Sequence, residues 1–197
     1  DLHLCDRRQR QMCIRDRYRS YSVIILNIYS QYVLEREIVK MEIVRNKEYS
    51  VKNVLTFRGN VRQESINNII AKAGEVIKKA NIGKNGPVIT AIHAIENDKN
   101  NQLFDFELIV PISGVMSSVE DYIFKDRFMI ENAVMFRHIG NPQNMNAEME
   151  CLVRYIKDNK LKPVTPFYNI TVKGATVPSE INDMIVDIYV GIEKSDI

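Results

Sequence analysis

The sequence predicts an α+β domain made of two strand–helix–strand–strand units, with an antiparallel or mixed sheet, two helices on one of its faces and a central groove. Three observations predict it. Asn53-Val54-Leu55-Thr56-Phe57-Arg58 returns 79 positions later as Asn132-Ala133-Val134-Met135-Phe136-Arg137. The same spacing carries Pro87, ahead of Val88-Ile89-Thr90, onto Pro166, ahead of Phe167-Tyr168-Asn169. A spacing of 80 carries Phe106–Ile112 onto Val186–Ile192. Three landmarks in one order at nearly constant separation mark an internal duplication.

In the first unit, about 48–114, a strand is expected around Tyr49–Phe57. A helix near Gln63–Ala80 follows, because Ile66, Ile69, Ile70, Ala73, Ile77 and Ala80 keep the spacing of one apolar face. Asn81-Ile82-Gly83 stops it, and Asn85-Gly86-Pro87 supplies a turn. Strands Val88–Ile95 and Leu103–Ile112 are joined by the polar tip Glu96–Gln102. The second unit, about 128–194, repeats the order: strand Ile130–Arg137, a helix near Asn144–Asn159, then strands Phe167–Val172 and Met184–Ile192. The second helix buries Met145, Met149, Leu152, Val153 and Ile156, and Lys162-Pro163 closes it. The link Gly114–Arg127 is expected to hold a short helix over Val119–Phe124. One unit alone buries too little surface to be stable, so the two are expected to cover each other's apolar faces.

Residues 1–40 stand apart. Asp1–Arg17 has no helical or alternating period, holds five Arg and two of the three Cys, and resembles a translated sequencing adapter. Glu35-Arg36-Glu37 fits a purine-only ribosome-binding sequence ahead of a start at Met41, so 1–40 reads as a non-native leader and 41–197 as one domain. Val23–Leu34 is broken by Asn27, Ser30 and Gln31 and is too short to span a bilayer. The whole chain of 197 residues has a formal charge of +2, but 41–197 holds 19 basic and 20 acidic side chains. The composition argument for nucleic acid or an anionic membrane disappears with the leader. Cys151 is the one cysteine of 41–197, which fits a reducing cytoplasm.

Candidate chemistry is sparse. Alternation puts Phe167, Asn169 and Thr171 on one strand face and Tyr168, Ile170 and Val172 on the other, without saying which lines the groove. With the first set inward, Asn169 and Thr171 would orient a ligand, and Tyr189, Phe57 and Phe136 would supply aromatic walls. The competing reading makes these aromatics core. Glu107 and Asp187 align across the repeat and could share a proton or a cation, although such positions are more often solvated. His93 and His138 fall in no cluster with metal-ligand spacing, and Cys151 reads as a buried structural thiol. Glycine motifs for nucleotides and nucleophile elbows are missing from the chain, so no cofactor or metal is expected.

The two units, the Pro166-Phe167-Tyr168 entry, the closing strand Asp187-Ile188-Tyr189-Val190 and its counterpart Leu108-Ile109-Val110-Pro111-Ile112 resemble the gyrase-inhibitor-like, AraC-type effector-binding domains over about Met41–Lys194. That resemblance implies a small ligand, often cationic or aromatic, held between the halves, commonly with a Glu from the strands lining the cleft. Asn169 stands just past the Pro-aromatic entry, where a carboxylate would partner a cation or act as a base. The expectation is therefore a non-enzymatic domain for a small apolar or aromatic ligand, with Phe57, Phe136, Phe167, Asn169, Thr171, Tyr189, Glu107 and Asp187 as its residues. The alternative is a protein-binding adaptor or chaperone beside a secretion toxin, using the groove or a sheet edge. A hydrolase working through Glu107 or Asp187 is a third reading.

Overall fold

The computed structural model describes residues 42–98 and 101–194, so the leader expected at 1–40 lies outside the described residues. Strand β1 (Val44–Val61) leads through a short 3-10 turn at Gln63–Ser65 into α1 (Ile66–Lys79), followed by β2 (Val88–Asp98) and β3 (Asn101–Pro111). The order then recurs: β4 (Tyr122–Ile139), a 3-10 turn at Pro142–Asn144, α2 (Asn146–Asp158), β5 (Tyr168–Lys173), a 3-10 segment at Pro178–Asp183 and β6 (Ile185–Gly191).

Both helices end in the same way. Asn81 and Lys160 take left-handed φ of 56° and 53°. Asn81 N–H then reaches Lys78 O at 3.0 Å and Ile82 N–H reaches Ile77 O at 3.2 Å. In α2, Lys160 N–H reaches Lys157 O at 3.0 Å and Leu161 N–H reaches Ile156 O at 2.9 Å. These paired bonds satisfy carbonyls the last turn would leave open.

All six strand pairings are antiparallel, and the sheet closes into a barrel in the order β1-β3-β2-β5-β6-β4. The groove expected on an open sheet is replaced by a barrel interior, because β2–β5 and β1–β4 both join the halves. Closure also removes the free sheet edge that a partner strand would need. The β1–β4 register sets Ser50 opposite Met129, two positions the repeat spacing of the sequence also relates. Asn53 and Asn132, with φ of 53° and 47°, turn their strands so that Val51 and Val54, and likewise Ile130 and Ala133, reach the same inner cluster. The carbonyls of these asparagines accept from Ile112 N–H at 2.8 Å and Ile192 N–H at 3.0 Å.

Two apolar clusters follow from this alternation. The inner one joins Val54, Ile89, Ala91, Ile109, Ile130, Ala133, Tyr168, Ile170 and Tyr189. The outer one packs Leu55, Phe104, Phe106, Leu108, Val110 and Ile112 beneath Ala73, Val76 and Ile77 of α1. Ile66, Ile69, Ile70, Ala73 and Ile77 pack there as expected, Val76 joins them, and Ala80, just past the helix end, is exposed. In α2 the buried residues are Cys151, Leu152 and Ile156, whereas Val153 is exposed. The short helix expected at Val119–Phe124 is not formed. Val119 and Tyr122 exchange backbone bonds, and Tyr122, Ile123 and Phe124 pair with Phe57, Thr56 and Leu55. Tyr122 is buried with its hydroxyl donating to Ile69 O at 2.8 Å, a tertiary anchor that an isolated helix would forfeit. Among the described residues no helix is long and apolar enough to cross a membrane.

Candidate functional site

Strand alternation carries side chains from the aliphatic floor of the barrel to a polar, aromatic end. On β3, Asp105 and Glu107 precede Ile109 on its side; on β6, Asp187 precedes Tyr189; on β5, Tyr168 and Ile170 face the same way. Tyr49 of β1 and Phe128 of β4 pack on this inner cluster without being fully buried. Their rings form a chain: Tyr189 to Tyr49 at 5.6 Å, Tyr49 to Phe128 at 6.4 Å and Phe128 to Tyr168 at 5.0 Å between centroids. Such tilted and edge contacts suit the ring quadrupoles.

Three carboxylates accompany the rings. Arg137 donates through Nε and Nη2 to the two oxygens of Asp187 at 2.6 and 2.8 Å. Arg58 holds Asp105 in the same forked way at 3.0 and 2.8 Å, although the backbone register sets Arg58 opposite Glu107. Glu107 is left with neutral or titratable partners. The Tyr168 hydroxyl donates to its Oε2 at 3.2 Å, and His93 Nε2 lies 2.8 Å from the same oxygen. The Glu107 side chain is 10% exposed and that of His93 18%.

The electrostatics match this division. The Arg58 guanidinium holds the Asp105 carboxyl below the usual range, against the opposing effect of burial. Asp187 raises the Arg137 guanidinium by hydrogen bonding. Burial, reinforced by the Glu107 charge, pushes the Tyr168 hydroxyl far up, so it remains a donor. Burial also raises Tyr49 and Tyr189.

Of the residues singled out from sequence, Glu107, Asp187 and Tyr189 come together here. Asp187 does not share a proton with Glu107, because both of its oxygens are taken by Arg137. Phe57 packs in the outer cluster, 5.6 Å from Tyr122. Phe136 is fully buried on a β4 position of opposite parity to the inner-facing Met135. Phe167 precedes β5 half-buried, and Asn169 and Thr171 alternate with Tyr168 and Ile170, so these three face away from the aromatic chain. Asn169 Oδ1 is buried there without a hydrogen-bond partner. A carboxylate does reach β5 from β3, through the Tyr168–Glu107 hydrogen bond.

Sequence reasoning singled out none of Tyr49, Phe128, Arg58 and Arg137, and it weighed Tyr168 only as the face opposite Asn169 and His93 only as a metal ligand. The repeat held a signal for four of them, since Tyr49 and Phe128, like Arg58 and Arg137, stand 79 apart. The other histidine, His138, is buried elsewhere, between Glu148 and the carbonyl of Asn141. A groove of about 910 Å³ beside Lys160, Leu161 and Thr165 contains none of the four rings. Among the described residues no group of three or more His, Cys, Asp or Glu could hold a metal ion.

A family model described as a domain of unknown function, DUF5085, matches residues 47–195. The chain belongs to the DUF5085 family. No curated protein matches this DUF5085 chain. Its barrel is similar to the EcmrR–DNA complex in EcmrR-RPo, with a TM-score of 0.68 and 19% identity over 98% of this chain and 72% of that one. The crystal structure of the EcmrR C-terminal domain gives a TM-score of 0.63 and 17% identity over 78% of this chain and 98% of that one. An uncharacterized conserved protein from Listeria innocua gives 0.50 and 12% over 78% and 92%. At these identities the likeness is one of fold, and at that level the resemblance to effector-binding domains drawn from the sequence stands.

Proposed function

We propose that this domain is a non-enzymatic binding module for a small aromatic cation, received where its two halves meet. Tyr49 and Phe128 come from the strands that join the halves, Tyr168 and Tyr189 from the second half, and Glu107 from the first. The observation that carries the reading is the partner set of Glu107. Of the three carboxylates at this end of the barrel it is the one without a guanidinium, and both of its hydrogen bonds end on Oε2. A carboxylate in so enclosed a place favours a cation that replaces the water it has lost. Aromatic faces add cation–π attraction of about 0.5–2 kcal/mol. The sequence-based expectation of an apolar or aromatic ligand weighed against a cation because of Asn169, and Asn169 alternates with the inward Tyr168 and Ile170.

Isothermal titration with benzyltrimethylammonium and its uncharged isostere neopentylbenzene tests the reading. The expected result is binding of the cation at least about tenfold tighter than the isostere, with the preference lost in Glu107→Gln. Equal binding of both compounds, or binding of neither by the folded protein, would overturn it.

A further inference from the structure

We infer that the domain has a second binding site, separate from the four rings: a groove that takes an amphiphilic carboxylate, an apolar chain with an anionic head. Strand β6 follows β4 as far as Ala133, and Ile192 and Glu193 then turn to Pro163 and Lys162. Beside that departure the groove of about 910 Å³ opens between β4 and the chain that follows α2. A second hollow of about 500 Å³ shares Asn132, Leu161, Ile192, Glu193 and Lys194 with it and adds Arg45. Volumes of this size hold small organic molecules. Met129, Leu161 and Val164 supply apolar lining, and Met129 and Val164 are 40% and 61% exposed.

The charges on the lining decide the class of guest. Lys162 Nζ pairs with Glu193 at 2.8 Å and Lys194 Nζ with Glu131 at 2.7 Å, so these four cancel. Glu48 attracts Lys194 at longer range but lines neither hollow. Lys160 and Arg45 are left, and among the described residues no carboxylate pairs with either. Arg45 Cζ lies 5.2 Å from the centroid of the Tyr155 ring, a face contact that uses none of its N–H donors. Excess positive charge beside an apolar lining selects an anion with an apolar body. The first half shows that side chains make this groove. Ser113 N–H reaches Gly83 O at 2.9 Å, and at the matching positions Glu193 N–H reaches Lys162 O at 2.8 Å. The backbone contact is alike, yet Gly83, Ser113 and Gly114 stand where the second half has Lys162, Glu193 and Lys194. Gly83 N–H donates to Ser113 Oγ at 3.1 Å, and Ile82 packs on the outer cluster beside Gly114. The hollow near that turn lies on α1 and Asn81–Lys84 and includes no residue of β1 or β3. Three small residues are thus replaced by a charged wall, and the second half builds its groove against the sheet.

NMR of the full chain at neutral pH tests the site with octanoate, and with 1-octanol as the uncharged probe of the same chain length. Octanoate is expected to shift the Leu161 and Val164 methyl signals saturably, leaving those of Ile89 and Ile109 in the ring-lined cluster unmoved. Arg45→Gln combined with Lys160→Gln should raise the octanoate Kd at least about fivefold and that of 1-octanol less than about twofold, the size expected of two exposed charges. Both side chains are exposed, so the fold should survive their loss. Val164→Asp, also at an exposed position, should abolish the octanoate shifts. Octanoate that moves no groove methyl, or that binds the double variant as tightly as wild type, would overturn the site. An equal loss for both probes would overturn it as well, because the cations would then be structural. Shifts at Ile89 and Ile109 instead would assign octanoate to the ring-lined end and remove the second site.

Discussion

The two halves of the barrel place an acid at the same strand position and treat it differently. In the second half, Asp187 stands opposite Arg137 in register and is gripped by it through two bonds. In the first, Glu107 stands opposite Arg58 in register, but Asp105 draws that guanidinium away. One extra carboxylate two residues earlier on β3 thus converts a closed ion pair into an available charge. The apolar neighbours differ as well. Tyr168 pairs with Tyr189 across β5 and β6, and the matching pair on β2 and β3 is Ile89 with Ile109, both fully buried. At these matched positions the first half supplies floor and the second supplies rings.

Substitutions sharpen or break this contrast, and they are taken here in falling order of effect. Ile109→Ala hollows the fully buried floor and should destabilise the protein by about 2–5 kcal/mol in urea denaturation. Tyr189→Phe, at the matching position, should stay well below that, because the ring remains. Asn132→Ala should cost about 1–2 kcal/mol through its left-handed φ, and more than Asn53→Ala. The reason is that Asn132 Nδ2 also donates to the carbonyls of Ile192 and Glu193, at 3.0 and 3.2 Å. Equal losses at the two sites would show that those side-chain bonds contribute nothing. Glu107→Gln should weaken benzyltrimethylammonium binding at least tenfold, about 1.4 kcal/mol, whereas Asp187→Asn should change it less. A larger loss from Asp187→Asn would reverse the assignment of the available charge.

Two smaller effects follow. Lys160→Gly should stabilise by up to about 1 kcal/mol, since a side chain at a left-handed helix end is strained. Asn81→Gly should gain less, because asparagine tolerates that conformation. The Asp105 carboxyl is held below its ordinary range in the folded state, so its contribution is present above the unfolded value near 4 and disappears as pH falls through the folded value. With Arg58 half exposed, the contribution should be under about 1 kcal/mol. Arg58→Gln should flatten the acid limb of stability by that amount, read from denaturation at pH 3 and pH 6.

Much of this architecture was legible in the chain. The recurring Asn-x-x-x-Phe-Arg string located both strand–helix units, and the 3.6-residue spacing of Ile66, Ile69, Ala73 and Ile77 located α1. Local signals failed where a distant partner decided the outcome. Tyr122-Ile123-Phe124 becomes strand because β1 pairs with it, and nothing between Gly114 and Arg127 encodes that partner. The site was legible only in pieces for the same reason. Alternation sorted Tyr168 from Asn169 but could not say which faced inward, and the Tyr168–Glu107 bond spans 61 positions. Nor could spacing foretell that Arg58 would choose Asp105 over the register partner Glu107.

Ring closure has a consequence for synthesis on the ribosome. β1 cannot complete its pairing until Tyr122 and the residues after it emerge, so an early strand of 18 residues waits with one flank bare. A waiting flank of that kind invites pairing with another nascent chain. Its opening stretch carries Arg45, Lys47, Glu48 and Lys52, and charges of both signs there disfavour stacking against a copy of itself. The lysines and glutamate that appear idle on the finished surface thus guard the interval before the last three strands arrive.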